Sequence, residues 1–549
     1  MRTRSHRNYV ILTGATGLLG EYLIRDLVAK GVSLAVIARP SRNLSADQRV
    51  AAICRRWQRL SGQALPRPVV LEGHLNEPGW GLSRDQHRWI ANNCDCLLNN
   101  AASLEFVAAS REAEPWKTNF HGTERMLELA ENWGIADLHH VSTAYVCGRR
   151  TGKILETELD EGQQFGNDYE SSKCASELMV RAASDCFEST TILRPAIITG
   201  DYYTGYTSTF HGLYAPLKIA ASLLHRAPLF EVSEQSLVAT LGLSGDEEKN
   251  FVPVDWVSNA ISSIVCDRDL HGRTYHLTAE RRTSCELLAD EMHEVFSEHA
   301  LEVLWQEVEK SKASRKFANG KPTSPKEEPT FSVETMQASF RSQMEIYQAY
   351  WRNDPVFDRT QLTAALPHLP PPAVDRECIR RLCRYALKKN FGWPRPPVVM
   401  PAFNAAAKLR SQGFHSQPQA TSDVRPSDLN LRILGDGGGD FAVRFSPDNA
   451  EATWVNAGFD VNQTRTCVMS AATLQRLIDE DFSLPRAISL GAVVMMSASR
   501  TPGTCSGTDV HRSGEGRSGH EMDFCRNSME RWMKGLSEET TQHAYSIPR

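Results

Sequence analysis

At 549 residues, with 41% apolar and 23% charged side chains and a net charge of −5, the chain exceeds what one ordinary hydrophobic core supports, so several domains are expected. This balance excludes wholesale disorder, and the lack of a basic surplus excludes nucleic acid as a dedicated partner. Thirteen cysteines without a C-x-x-C pair fit neither a disulfide scaffold nor a zinc site, so no metal and reduced thiols in a cytoplasm are expected. The basic lead Met1 to Asn8 lacks the apolar core of a signal peptide, and no run approaches the ~20 apolar residues of a bilayer span. A cytoplasmic protein without a transmembrane segment is expected, with peripheral membrane contact left open.

Short apolar runs at Tyr9–Leu12, Leu34–Ala38, Val69–Leu71, Cys96–Asn99, Leu138–Val141 and Thr191–Leu193 alternate with helical stretches. Strands separated by crossover helices predict an α/β fold, a doubly wound parallel Rossmann sheet carrying a substrate subdomain, over residues 1–305. Residues 306–330, rich in Lys, Pro and Ser, read as a linker, 331–410 as a helical segment and 411–427 as a second linker. Residues 428–499 mix alternating stretches with a helix at Ala471–Ile478 and predict a small C-terminal α+β domain. Residues 500–549 have the composition of a disordered tail.

Directly after the first strand comes Thr13-Gly14-Ala15-Thr16-Gly17-Leu18-Leu19-Gly20, followed by a helix. Glycines there let the backbone turn sharply and approach a pyrophosphate, whose charge sits at the helix N-terminus. Thr13, Gly14, Thr16, Gly17, Leu18 and Gly20 are therefore the expected dinucleotide contacts. The second strand ends at Arg39, where NAD-specific folds place an acidic residue on the ribose. An arginine suits a 2′-phosphate instead, with Arg42 assisting, so NADP(H) is the expected cofactor.

Tyr169 and Lys173 stand four apart, one turn along a helix face, beyond Thr143 at the end of the fifth strand. A phenol has a pKa of about 10, and a neighbouring ammonium favours the phenolate. Tyr169 would then be a general acid towards a substrate oxygen, with Thr143 hydrogen-bonding the same oxygen.

The glycine loop, Asn99-Asn100-Ala101-Ala102, Asn119-Phe120-His121-Gly122-Thr123, Ser142-Thr143-Ala144, the Tyr169/Lys173 pair and Leu193-Arg194-Pro195 occur in one order over the first 280 or so residues. In this the chain resembles the extended short-chain dehydrogenase/reductase superfamily. The resemblance implies that Asn100 and Ala101 line the cofactor cleft, that Pro195 and Ile197 border the nicotinamide, and that Asn119 anchors a water relaying protons to Lys173. Asn100 to Phe106, Asn167 to Glu177, Gly200 to Gly205 and Phe251 to Val257 resemble thioester and fatty acyl-CoA reductases. His74 departs from that pattern, which usually has Asp near the adenine.

The resemblance implies reduction of an acyl thioester, fatty acyl-CoA or carrier-bound, to aldehyde or alcohol. Dehydrogenases, reductases and epimerases of sterols, other ketones or nucleotide sugars use the same three residues, and a non-catalytic NADP- or lipid-binding protein is the alternative outside enzymes. The region Tyr202 to Leu243, mostly aromatic, aliphatic and small hydroxyl residues, favours an apolar small-molecule substrate. Gly437 to Phe441, Cys467 to Ser470 and Ala487 to Gly491 resemble a sterol-carrier-protein type domain, which implies a lipid ligand.

Overall fold

The computed structural model describes residues 8–41, 44–62, 65–224, 243–299, 344–392, 429–434, 439–445, 450–454, 466–478 and 493–496, with isolated positions between them. Arg42, the linkers 306–330 and 411–427 and the tail 500–549 lie outside the described residues, as do Gly437, Gly438 and Gly491.

Seven strands form one parallel sheet: β1 (Tyr9–Leu12), β2 (Ser33–Ala38), β3 (Val69–Glu72), β4 (Cys94–Asn99), β5 (Asp137–Val141), β6 (Ser189–Pro195) and β7 (Thr274–Leu277). Their spatial order is β7-β6-β5-β4-β1-β2-β3. The chain runs outward from β1 to β3 and returns to lay β4 beside β1. Strand order reverses there, which opens a crevice at the carboxyl ends of β1 and β4.

Alternation along each strand builds a core on both faces. Val10 and Leu12 join Leu34, Val36 and Leu98 on one side, while Ile11 joins Ala35, Ile37 and Leu97 on the other. The helices follow from local signals. Residues Ala46–Ser61 (α2) and Arg84–Asn93 (α3) each begin in a capping box, Ser45 with Gln48 and Ser83 with Gln86. Gly122–Trp133 forms α4, and Asn167 caps Asp168–Ala182 (α5) by accepting the Glu170 amide.

Later residues return to this framework. Val356–Phe357 pairs in parallel with Lys153–Ile154, and Phe357, Leu362 and Leu366 enter the core that holds Val10. Helix Arg376–Lys388 buries Cys378, Ile379, Leu382 and Cys383 against Leu213, Tyr214, Leu217 and Phe251. Strands Leu429–Leu434, Gly439–Phe445, Ala450–Trp454, Thr466–Ser470 and Val493–Met496 form a second sheet, with helix Ala471–Ile478 packed on it. Among the described residues no helix is long and apolar enough to cross a membrane.

Candidate active site

The glycine loop is tied to the end of β4 by one threonine. Thr13 Oγ1 donates to Asn99 Oδ1 at 2.7 Å and accepts the Asn100 and Ala101 amides, each at 3.1 Å. Gly14 has φ +66°, and a Cβ there would stand 2.7 Å from the Asn100 carbonyl oxygen. At Gly20 it would stand 2.1 Å from the Gly14 oxygen, so helix Leu18–Ala29 (α1) reaches the loop only with glycine at that position.

Gly17 differs. It has an ordinary φ of −85° and is exposed, and a Cβ would meet only the Gly14 oxygen, at 3.5 Å. Its fold does not demand glycine, yet the position caps α1 with no side-chain hydrogen bond to the first amides. An open backbone cradle before amide groups suits a phosphate group, so these residues fit a dinucleotide.

Arg39 is exposed at the end of β2, and its carbonyl accepts from Arg49 Nη1 at 2.7 Å. Arg49 Nη2 donates to Thr16 Oγ1 of the glycine loop at 2.8 Å. Burial and then the Arg39 charge lower the pKa of Arg49. Arg49 thus ties the end of β2 to the glycine loop, with the Arg39 charge near its own. Arg49 escaped the sequence reading, although a cation in the first turn of a helix opposes the helix dipole and is a signal in itself. His74 follows β3, and its Nδ1 accepts the Asn76 amide at 3.2 Å.

At the same sheet edge, Thr143 is buried, donates to the Pro195 carbonyl at 3.4 Å and accepts the Tyr145 amide at 3.3 Å. Its hydroxyl also lies near the phenol of the half-buried Tyr169, close enough to favour the phenolate. Burial pushes the Tyr169 phenol up to about 12 against the opposing pull of Thr143. Lys173 is 2% exposed and donates Nζ to the Val141 carbonyl at 2.8 Å. Burial lowers Lys173 to about 8, and Glu177 pulls the other way.

This corrects one expectation. An ammonium was to lower the phenol, but Lys173 is turned onto Val141 and its charge does not figure among the influences on Tyr169. Desolvation, which disfavours the phenolate, prevails.

Asn119 is buried beside the loop after β4. Its Oδ1 accepts the Ser103 amide at 2.8 Å, and its Nδ2 donates to the Ser103 carbonyl at 3.1 Å and to Ser172 Oγ at 3.0 Å. The side chain clamps the loop after β4 to α5. Arg194 belongs to the Leu193-Arg194-Pro195 motif. It is fully buried, and its Nη2 meets Glu177 Oε1 at 2.6 Å. Burial would raise Glu177, but Arg194 holds it down at about 2, fixing a carboxylate one turn beyond Lys173.

Aromatic rings wall the side of Tyr169. Phe106 meets it edge-on at 6.0 Å and packs against Tyr347 and Tyr350, both at 5.5 Å. An open groove of about 630 Å³ runs past Phe106, Val107, Asn167 and Trp351. Ile197 is half-buried beyond Pro195 and packs against core residues. Among the described residues no group of three or more His, Cys, Asp or Glu side chains is placed to hold a metal ion.

Residues 12–261 match the family described as male sterility protein, an NAD-binding domain. A non-reducing polyketide synthase, pkiA, of Emericella nidulans is 27% identical over 305 residues, 53% of this chain and 12% of the relative. The L-2-aminoadipate reductase large subunit of Penicillium chrysogenum is 27% identical over 270 residues, 46% of this chain and 18% of the relative. Fatty acyl-CoA reductase wat of Drosophila melanogaster is 23% identical over 292 residues, 47% of this chain and 54% of the relative. The chain therefore spans only part of the length of each. Among solved structures, the terminal R domain from the myxalamid PKS-NRPS pathway shares the fold with a TM-score of 0.53 at 22% identity, covering 72% of this chain and 94% of that one.

Proposed function

We propose, from the match of residues 12–261 to the male sterility protein family and the parallel sheet they carry, NADPH-dependent reduction of an acyl thioester to the aldehyde or alcohol. The observation that carries this reading is the meeting of the Thr143 and Tyr169 hydroxyls at the sheet edge, between the glycine loop and the wall of Phe106, Tyr347 and Tyr350. A hydroxyl pair fits a carbonyl oxygen, and an aromatic wall fits an acyl chain. The fatty acyl-CoA reductase among the relatives supports an acyl thioester, and coenzyme A or a carrier domain would carry it.

Thr13, Gly14, Thr16, Gly17, Leu18, Gly20, Asn100 and Ala101 would hold the dinucleotide, with Arg39 and Arg49 at the 2′-phosphate. When bound, the nicotinamide supplies a hydride to the carbonyl carbon. Thr143 fixes the carbonyl oxygen, and Tyr169, protonated at neutral pH, gives that oxygen its proton. The resulting hemithioacetal loses the thiol as the C–S bond breaks, leaving the aldehyde. We assign to Lys173, 2% exposed, held by Val141 and one turn along α5 from Tyr169, the resupply of the proton that Tyr169 gives, by relay and not by direct contact. Asn119 keeps the loop and α5 in register.

The test is incubation with NADPH and a panel of acyl-CoAs, acyl-N-acetylcysteamine thioesters, ketosteroids and nucleotide sugars, following NADPH loss and product identity. Aldehyde or alcohol from the thioesters alone is expected. Turnover of the ketosteroid or sugar in their place overturns the reading.

Two variants examine the cofactor assignment without turnover. Gly17→Ala should fold with a nearly unchanged Tm but bind NADPH about tenfold or more weakly, because its methyl fills the cradle. Gly20→Ala should lower Tm instead, since its Cβ has no room beside the Gly14 oxygen. Calorimetry and NADPH fluorescence separate the two, and full NADPH affinity in Gly17→Ala would place the phosphate elsewhere. In the same titrations Arg39→Glu, and to a lesser degree Arg49→Met, should weaken NADPH more than NADH, through loss of a charge-assisted contact with the 2′-phosphate. Equal losses for both cofactors would remove the pair from that role.

A further inference from the structure

We infer that Asp354 is a positioning residue for Thr143 and Tyr169, acting through the hydroxyl of Tyr145, so that the segment after residue 344 completes the active site. The inference rests on the reading of those two hydroxyls given above.

Asp354 is 3% exposed and gathers groups from distant parts of the chain. Its Oδ2 accepts the Tyr145 hydroxyl at 2.6 Å, across 209 positions of sequence, and the Asn250 amide at 2.8 Å. Its Oδ1 accepts Lys249 Nζ at 2.8 Å, and Lys249 also donates to the Arg352 carbonyl at 2.8 Å. The Asp354 amide donates to the Glu248 carbonyl at 2.9 Å. A carboxylate taken this far from water is tolerated only with its oxygens satisfied, so the hub admits one arrangement of these partners. A segment that merely covered the core would need apolar contact alone.

From Tyr145 the frame reaches the reacting groups by two routes. Along the backbone, the Tyr145 amide donates to Thr143 Oγ1 at 3.3 Å. Through the rings, Tyr145 meets Tyr350 edge-on at 5.5 Å, Tyr350 packs on Phe106 at 5.5 Å, and Phe106 meets Tyr169 at 6.0 Å. Tyr350 also accepts a hydrogen bond through its hydroxyl from Asn167 Nδ2 at 3.2 Å, and Asn167 caps the helix that carries Tyr169. Both hydroxyls therefore lean on a frame cornered at Tyr145 and Asp354. Misplacement of a reacting group by ~1 Å can cost ~100-fold in rate, so small shifts of that corner matter.

Tyr145→Phe keeps the ring and leaves the Asp354–Lys249 pair whole, whereas Asp354→Asn removes the acceptor charge. Assayed on the full chain with NADPH and octanoyl-N-acetylcysteamine, Tyr145→Phe is expected to lower kcat about tenfold. KM for NADPH and NADPH affinity by fluorescence should not change. If the two residues act in one line, the double variant should be no slower than the slower single variant. A merely structural role would lower Tm and leave kcat untouched at temperatures where the variant is folded. Unchanged kcat in Tyr145→Phe, or multiplying effects in the double variant, overturns the proposal. Tyr169→Phe run alongside separates the levels: if it is slow while Tyr145→Phe is normal, only this inference fails. If Tyr169→Phe is normal, or the parent does not turn the thioester over, the underlying reading fails with it.

Discussion

Tyr169→Phe is expected to slow thioester reduction by at least ~100-fold while NADPH binds with unchanged affinity. The substitution removes one hydroxyl and keeps the ring edge that packs on Phe106, so the wall beside it should stand. With its pKa pushed up to about 12 the phenol is protonated at neutral pH, the form that can donate, and the substitution removes that donor outright. Thr143 alone could still hydrogen-bond the carbonyl oxygen, which sets a residual rate. Steady-state kinetics and fluorescence titration on the same preparation check both halves. Turnover within a few-fold of the parent would show that another group delivers the proton.

Lys173→Met is expected to abolish most turnover and, against intuition, to raise Tm at neutral pH. The folded protein holds Lys173 at about 8, below its ordinary 10.5, because burial disfavours the ammonium. A base with a depressed pKa binds its proton less tightly when folded than when unfolded. Its protonation therefore costs stability, fully below pH 8, and the cost fades as pH rises from about 8 towards 10.5. Methionine fills similar space without charge, so a gain of roughly 1–3 kcal/mol at pH 7 is expected after the lost bond to the Val141 carbonyl is set against it. The advantage should shrink towards pH 10.5. In the parent, kcat should fall as pH climbs through about 8, where Lys173 loses its proton, and the variant's residual rate should lack that limb. Thermal melts across pH decide the first half and a pH–rate profile the second. A variant that is less stable at pH 7 would show that Lys173 is held for its structure, and normal turnover would remove it from the proton path.

Both predictions depend on an orientation that no local pattern reveals. That Tyr169 and Lys173 share one face of a helix follows from their spacing, and α5 bears it out. Where Lys173 sends its ammonium depends on Val141, Glu177 and the depth of the sheet edge, so the expected lowering of the phenol gave way to desolvation. The Thr143–Asp354 region repeats the lesson. Thr143 is visible as a hydroxyl ending a strand, whereas Asp354 is one acidic residue in an irregular stretch until the fold carries it to Tyr145.

What the sequence determined by itself was everything written in short-range periodicity and steric necessity. The strands from Tyr9 to Leu193 are apolar runs that must be buried on both faces, and the parallel sheet confirms them with small shifts of boundary. Gly14 and Gly20 are glycine because backbone atoms leave no room for a Cβ, and that demand is local enough to read as a motif. Tertiary structure decided what depends on meetings across the chain. It brought Arg49 to Thr16, closed Asn119 on Ser103 and Ser172, buried Arg194 against Glu177, and set Tyr350 and Asp354 around Tyr145. Each is a polar or aromatic side chain of a common type. Its role comes from removal from water beside one particular partner, and the free energy of that removal belongs to the pair and its surroundings, not to either residue in its own stretch of sequence.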